Sequence, residues 1–449
     1  MGRLFGTDGV RGVANKELTA ELALNLGRAG ALVLTKHAAN APKIIVGKDT
    51  RVSGDMLEAG LVAGFCSMGA HVVCVGTLPT PAIAYLTRKY KADAGVVISA
   101  SHNSMEYNGI KFFNKDGYKL SDEIENEIEE YILDGKPIGE LPVGAGVGKV
   151  SRVDTGKRDY VDFVKSTINT SFEGMRIAID CANGASYECA KLIFKELGAD
   201  VVLINNVPNG TNINENCGST HMEGLQEFVV ANKCNMGLAL DGDADRLLAV
   251  DENGDMVDGD KIMILCALAL KKKGLLKNNT VVATVMSNLG FFKSLESEGI
   301  SYEQTKVGDR YVLENMLQNG YCIGGEQSGH IIFLDHNSTG DGLLTGVQLT
   351  QALKDSGKTL SDFASFIKIY PQVLVNAKIK NEYKKTYMDI PEIAEAVNNL
   401  EAKFAGNGRV LIRPSGTEPL VRVMIEGSDK DQIAADAKEL ADFIQSKLG

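Results

Sequence analysis

The sequence has no C-x-x-C pair, no surplus of basic charge and no long apolar run, and each absence removes a class of protein. Its eight cysteines (Cys66, Cys74, Cys181, Cys189, Cys217, Cys234, Cys266 and Cys322) are scattered, several within apolar runs. Buried reduced thiols are therefore expected in place of disulfides or a zinc site. Lys and Arg number 47 against 58 Asp and Glu, a net charge of -11, with the two signs mixed along the chain. That balance argues against a nucleic-acid partner or an anionic membrane surface, so positive charge for any anionic ligand must be local. The longest apolar run, Ile262 to Leu270, is closed by Lys-Lys-Lys-Gly and is too short to span a bilayer. The opening MGRLFGTDG has no signal-peptide core, and Gly6 stands where a myristoylation motif wants Ser or Thr. No tract is of low complexity, and a cytoplasmic location is expected.

What the chain does contain is a repeated unit. At 449 residues, about three domains of ~150 residues are expected, and more if some are small. FGTDGVRG (Phe5 to Gly12) packs three glycines around Asp8 and Arg11 and reads as a loop; Thr19 then caps a helix with Leu22, Leu26, Ala29 and Val33 on one face. From Lys43 the order is strand, helix, strand, helix, strand, ending at Ser99; it recurs from Arg176 to Leu240 and again from Thr280 to Gly325. Asp134 to Gly148 lacks either periodicity and reads as a surface excursion. From about Pro371 the pattern changes to strands QVLVNAKI, RVLIR and LVRVMIEG with two helices. The fold class predicted is α/β: three repeated α/β domains with mainly parallel mixed sheets (1–155, 156–255, 256–370) plus a C-terminal α+β domain (371–449). The stretch around Tyr370 and Pro371 is the expected hinge.

The third strand of each repeat runs into a polar loop: SASHN, then DGDADR, then EQSGH. Ligands gather beyond the carboxyl ends of strands in such sheets, so these loops should face one crevice. The first delivers the Ser101 hydroxyl. His102 follows it directly, and neighbours on extended chain point to opposite sides, so activation of Ser101 should come from elsewhere. Asp241, Asp243 and Asp245 alternate just beyond an apolar strand and can converge on one hard cation. An EF-hand is rejected, although Glu252 falls at its twelfth place, because Arg246 occupies the sixth, where Gly is needed, and LLAV continues as a strand. Mg2+ fits better, since it takes few carboxylates plus a phosphate oxygen, which a phosphate on Ser101 would supply.

Other groups carry two readings at this stage. Lys111 is either a surface lysine or a neutraliser of phosphoryl charge. RPSGTEPLVR is either a plain hairpin turn or a phosphate cradle built from Arg413, Ser415, Gly416, Thr417 and Arg422. Glu326 and Ser328 offer hydrogen bonds to hydroxyls or an amine, and His330 is either a loop histidine or part of the same site.

ISASHN, DGDADR, GEQSGH and RPSGTEPL, in this order over about the whole chain and supported by FGTDGVRG, resemble the α-D-phosphohexomutase superfamily. The resemblance implies four domains around a central cleft, with Ser101 as the phosphoserine and Mg2+ held by its phosphate and by Asp241, Asp243 and Asp245. It places Glu326 and Ser328 on the sugar and Arg413, Ser415, Gly416, Thr417 and Arg422 on its distal phosphate. Arg11, Lys111 and His330 are implied beside the transferred phosphoryl, with Arg246 and His102 just behind. A hexosamine or glucose 1,6-bisphosphate is the implied activator or intermediate, the partner is a small-molecule phosphosugar, and a homodimer is compatible with it. Gln327, where mannose and glucose mutases commonly have Met, favours glucosamine phosphate, and hence supply of amino-sugar nucleotide and cell-wall precursors. Ser104 and Tyr107 depart from the usual Pro and Asp of the first motif without removing a group that has a chemical role. Two rivals remain: a phosphatase or phosphotransferase with Asp241 as nucleophile, and a phosphosugar sensor without turnover.

Overall fold

The computed structural model describes residues 2–6, 8–36, 41–415 and 418–449. They form two compact units, one running up to Met286 and including Ile300–Ser365, the other made of Ser287–Gly299 and Phe366–Gly449. The first unit contains three sheets.

The first sheet has six strands in the order Val10–Val13, Tyr107–Asn114, Ala94–Ile98, Lys43–Lys48, His71–Thr77, Val150–Arg152. Ala94–Ile98 is buried at every position, as its unbroken apolar run requires of a central strand. Lys43–Lys48 pairs in parallel with both neighbours, whereas Tyr107–Asn114 is antiparallel to both of its own. Two strands depart from the sequence reading. Val10–Val13 is an edge strand within the segment read as a loop, and Val150–Arg152 adds an edge just after the surface excursion. Both are short, with four and three residues, too few for an alternating pattern to stand out in the sequence.

The second sheet runs Met256–Val257, Leu247–Asp251, Met236–Leu240, Arg176–Asp180, Asp200–Ile204, and the third Ser301–Thr305, Thr280–Thr284, Ile323–Gly325, Ile331–Phe333. All three sheets share one device. The last parallel strand is followed by an antiparallel return strand, with Ile98 opposite Ile110, Leu240 opposite Leu247, and Gly325 opposite Ile331. SASHN, DGDADR and EQSGH are thus hairpin connections, tethered at both ends. The helix predicted from Thr19 runs Ala20–Leu34, with the Thr19 hydroxyl accepting the Leu22 N–H at 3.2 Å.

In the C-terminal unit, Leu420–Gly427 lies between Gln372–Lys378 and Gly408–Pro414, all antiparallel, and the helices Pro391–Phe404 and Lys430–Leu448 supply its core. Helix Leu289–Ser297 connects Thr280–Thr284 to Ser301–Thr305, the strand-helix-strand order read for the third repeat, and groups with this unit. Glu426, fully buried, accepts from the Leu289 N–H and from Arg409. Tyr370 is tied through its N–H and its C=O to the Asn288 side chain, so the expected hinge residue sits inside this unit. All eight cysteines are free, and all but Cys66 are buried. Among the described residues no helix is long and apolar enough to cross a membrane.

Candidate functional site

Ser101 lies in the first hairpin connection at φ 53°, a left-handed conformation that costs an L-residue on the order of 1–3 kcal/mol unless its surroundings hold it. They do. The Arg51 guanidinium, anchored on Asp49, donates to the carbonyls of Ser101 at 3.0 Å and Asn103 at 2.7 Å, and to that of Ser104. Asn214, from the second repeat, donates to the carbonyls of Ser101 and Asn103, each at 2.9 Å. The Ser101 N–H donates to Ser99 Oγ at 3.0 Å. So fixed, Ser101 is 1 % exposed and its hydroxyl donates to Asp241 Oδ2 at 2.6 Å. The left-handed turn also overturns one expectation: His102 is on the same side, its Nδ1 3.4 Å from Ser101 Oγ. Burial, with help from Arg246 and Arg11, makes that imidazole less basic than usual.

Asp241, Asp243 and Asp245 are buried together, each offering an oxygen within 4.8 Å of the others. The turn that gathers them has Ala244 at φ 55°, and Gly242 lies so close to Ser101 that a Cβ there would stand 2.6 Å from the Ser101 carbonyl oxygen. Asp243 Oδ2 accepts from Lys111 at 2.7 Å and from the Thr80 hydroxyl at 2.6 Å, while its Oδ1 is buried without a partner, as is Oδ1 of Asp245. Burial, together with Asp245 and Asp243, drives the Asp241 carboxyl well up. For Asp245 burial is outweighed by Lys111, His330 and Arg246, which hold it far down. Three carboxylates with two unpartnered buried oxygens fit a hard cation. Glu252 instead accepts from the Ser361 hydroxyl, in line with rejection of an EF-hand.

Lys111 is no surface lysine: it is 2 % exposed and bonded to Asp243 and, at 2.8 Å, to Asp8. Burial disfavours its charge, but Asp243, Asp8 and Asp245 overcome that and raise its pKa. Asp8 is brought there by Gly9, at φ 78°, where a Cβ would stand 2.4 Å from the Ile110 carbonyl oxygen. Its carboxylate also meets Arg11 at 2.6 Å and Lys119 at 2.7 Å. Lys119 pairs with Asp309 at 2.6 Å, and His330 lies between Asp309 at 3.3 Å and Asp245 at 3.5 Å. His330 is made more basic, because Asp245 and Asp309 prevail over its burial. Arg246 donates its backbone N–H to Asp241 at 3.2 Å, with its guanidinium 4.0 Å from Asp245. Glu326 accepts the Gly308 N–H at 3.2 Å, and Ser328 is exposed beside it. Gln327 donates to Asp258 at 3.2 Å.

Arg51, Thr80, Lys119, Asn214 and Asp309 were not singled out from the sequence, and Asp8 was named without a role at the site. Asp8 had a signal in its glycine-rich loop. Lys119 and Asp309 had none, being 190 positions apart.

In the C-terminal unit, Arg413 and Arg422 stand opposite each other on paired strands. Like charges so placed repel, and burial followed by Arg422 weakens the charged form of Arg413, a strain that an anion between them would relieve. Ser415 is buried beside them, its hydroxyl accepting the Glu418 N–H at 3.2 Å. Gly416 and Thr417 lie outside the described residues.

Four domain families match successive parts of the chain. They are phosphoglucomutase/phosphomannomutase alpha/beta/alpha domain I over residues 2–137, domain II over 158–254, domain III over 258–370, and the C-terminal domain over 374–443. The phosphoglucosamine mutase of Acetivibrio thermocellus is 62% identical over 449 residues, covering 100% of both chains. A phosphoglucomutase/phosphomannomutase family protein from Burkholderia thailandensis has a similar fold, with a TM-score of 0.82 at 23% identity over 99% of this chain and 98% of its own. So has the N-acetylphosphoglucosamine mutase of Aspergillus fumigatus, solved with GlcNAc-6P and magnesium, at a TM-score of 0.71 and 17% identity over 99% of this chain and 96% of its own.

Proposed function

The chain belongs to the phosphoglucomutase/phosphomannomutase family, and on that premise we propose that it interconverts glucosamine 6-phosphate and glucosamine 1-phosphate, with Ser101 as phosphoryl carrier. The observation that carries the reading is the buried Ser101 hydroxyl, 2.6 Å from one of three clustered carboxylates. The sugar comes from the relatives named phosphoglucosamine mutase, 62% identical over the full length.

A hydroxyl of the sugar attacks phosphorus on phospho-Ser101; the new P–O bond forms as the P–Oγ bond breaks, the hydroxyl gives up its proton and Ser101 Oγ takes one. The sugar bisphosphate then reorients and its other phosphate returns to Ser101 by the reverse chemistry, with glucose or hexosamine 1,6-bisphosphate able to prime the enzyme. Asp241, Asp243 and Asp245 would hold Mg2+, which supplies Lewis-acid neutralisation of phosphoryl oxygens when bound. The remaining work is positioning and charge. Arg51 and Asn214 fix the loop that carries Ser101, while Lys111, Arg11 and Arg246 bring positive charge, with His330 at the same site for proton transfer. Glu326 and Ser328 are assigned to the sugar, and Arg413, Ser415 and Arg422, with Gly416 and Thr417, to the phosphate that is not being transferred.

A coupled assay should show faster turnover of glucosamine 1-phosphate than of glucose 1-phosphate or mannose 1-phosphate. Ser101→Ala should lose turnover with its melting temperature kept, and alkali-labile phosphate should map to Ser101 in the active parent. Near-normal turnover in Ser101→Ala, or hydroxylamine-sensitive phosphate on Asp241, would refute the carrier; preference for glucose or mannose phosphate would refute the sugar.

A further inference from the structure

Asp243 has two carboxylate oxygens with opposite fates. Oδ2 is saturated by Lys111 Nζ at 2.7 Å and the Thr80 hydroxyl at 2.6 Å, whereas Oδ1 is buried and unpartnered. The ammonium alone does not set this division, because Lys111 also pairs with Asp8 at 2.8 Å and has Asp245 3.9 Å away, and a flexible ammonium serves several oxygens at once. Thr80 is different. It is 1 % exposed and opens the helix Thr80–Lys89, and its backbone N–H, one of the donors a helix start leaves unused, goes to the Asp243 carbonyl at 2.9 Å. Main chain and side chain of one residue therefore grip main chain and side chain of the other.

We propose that Thr80 is a positioning residue for the cation site: its hydroxyl fixes the rotation of the Asp243 carboxylate so that Oδ1 alone faces the cation, as a monodentate ligand. The proposal rests on the reading of Asp241, Asp243 and Asp245 as cation ligands. It extends that site into the first repeat, so the strength with which the second repeat's carboxylates hold a cation depends on a hydroxyl from another domain. Groups behind metal ligands commonly change affinity about 10- to 100-fold when lost.

The test compares the parent chain with Thr80→Val and Thr80→Ser by titrating Mn2+ against unliganded protein and reading free Mn2+ by electron paramagnetic resonance. Thr80→Val keeps the branched shape and loses the hydroxyl; its dissociation constant should rise about 10- to 100-fold with the melting temperature nearly unchanged. Thr80→Ser should bind like the parent. Unchanged affinity in Thr80→Val, or equal weakening in both variants, would overturn the proposal, the second because packing and not the hydroxyl would then be responsible. A parent chain that takes up no Mn2+ would overturn the cation site itself and the function built on it, and that outcome is separate from the other two.

Discussion

Clustering three carboxylates in a buried hairpin turn works against folding, since each like charge raises the energy of the next and desolvation adds to it. The chain offsets part of this with Lys111, whose ammonium meets Asp243 and Asp8, and leaves Oδ1 of Asp243 and of Asp245 without a hydrogen bond. Asp243→Asn removes one charge and keeps the shape. The prediction is asymmetric: activity should fall on the order of a hundredfold or more, as loss of several kcal/mol of transition-state stabilisation requires. The melting temperature should move little, because relief of repulsion compensates for the weaker bond to Lys111. Steady-state kinetics and a thermal melt on the same preparation check it, and a loss of stability matching the loss of activity would contradict it.

At the scale of elements, the hairpin is what the three site loops have in common, since a return strand tethers each loop at both ends. Helix Asp122–Leu133 adds a contact of another kind. Glu125 on this helix lies 3.6 Å from Arg310, the second residue of helix Asp309–Asn319, whose first residue pairs with Lys119. Burial, against Arg310 and with Asp122 and Glu129, pushes the Glu125 carboxyl up to about 7. An acid whose folded pKa is raised favours folding fully only below its unfolded value of about 4.3, and that contribution is lost as pH rises through the folded value. Glu125→Gln should therefore match the parent near pH ~4 and exceed it above pH ~8, by on the order of 1 kcal/mol after allowance for solvent screening of a partly exposed group. Urea unfolding at the two pH values measures this, and a difference independent of pH would rule it out.

For the whole molecule, cation binding should be felt in one compact unit only, because Asp241, Asp243 and Asp245 all belong to the unit that ends at Met286 and resumes at Ile300. Hydrogen exchange should slow around 99–104 and 241–246 when Mg2+ is added and stay unchanged across 372–427; EDTA should reverse it, and slowing spread evenly over both units would speak against it. The sequence determined the strand and helix order within each repeat, the three polar loops at strand ends and the aspartate triad, because these depend on local periodicity and on residues spaced two apart. Its motifs also carried the family. Only the tertiary structure decided that Lys111 is buried and that His102 turns to the side of Ser101. It alone revealed Arg51, Thr80, Lys119, Asn214 and Asp309. Each acts on a group 50 or more positions away, from Arg51 on the Ser101 carbonyl to Lys119 on Asp309, 190 positions apart. Local pattern fixes which way a strand faces, but which distant donor meets a given carbonyl or carboxylate is set when the sheets pack, and no spacing in the chain records it.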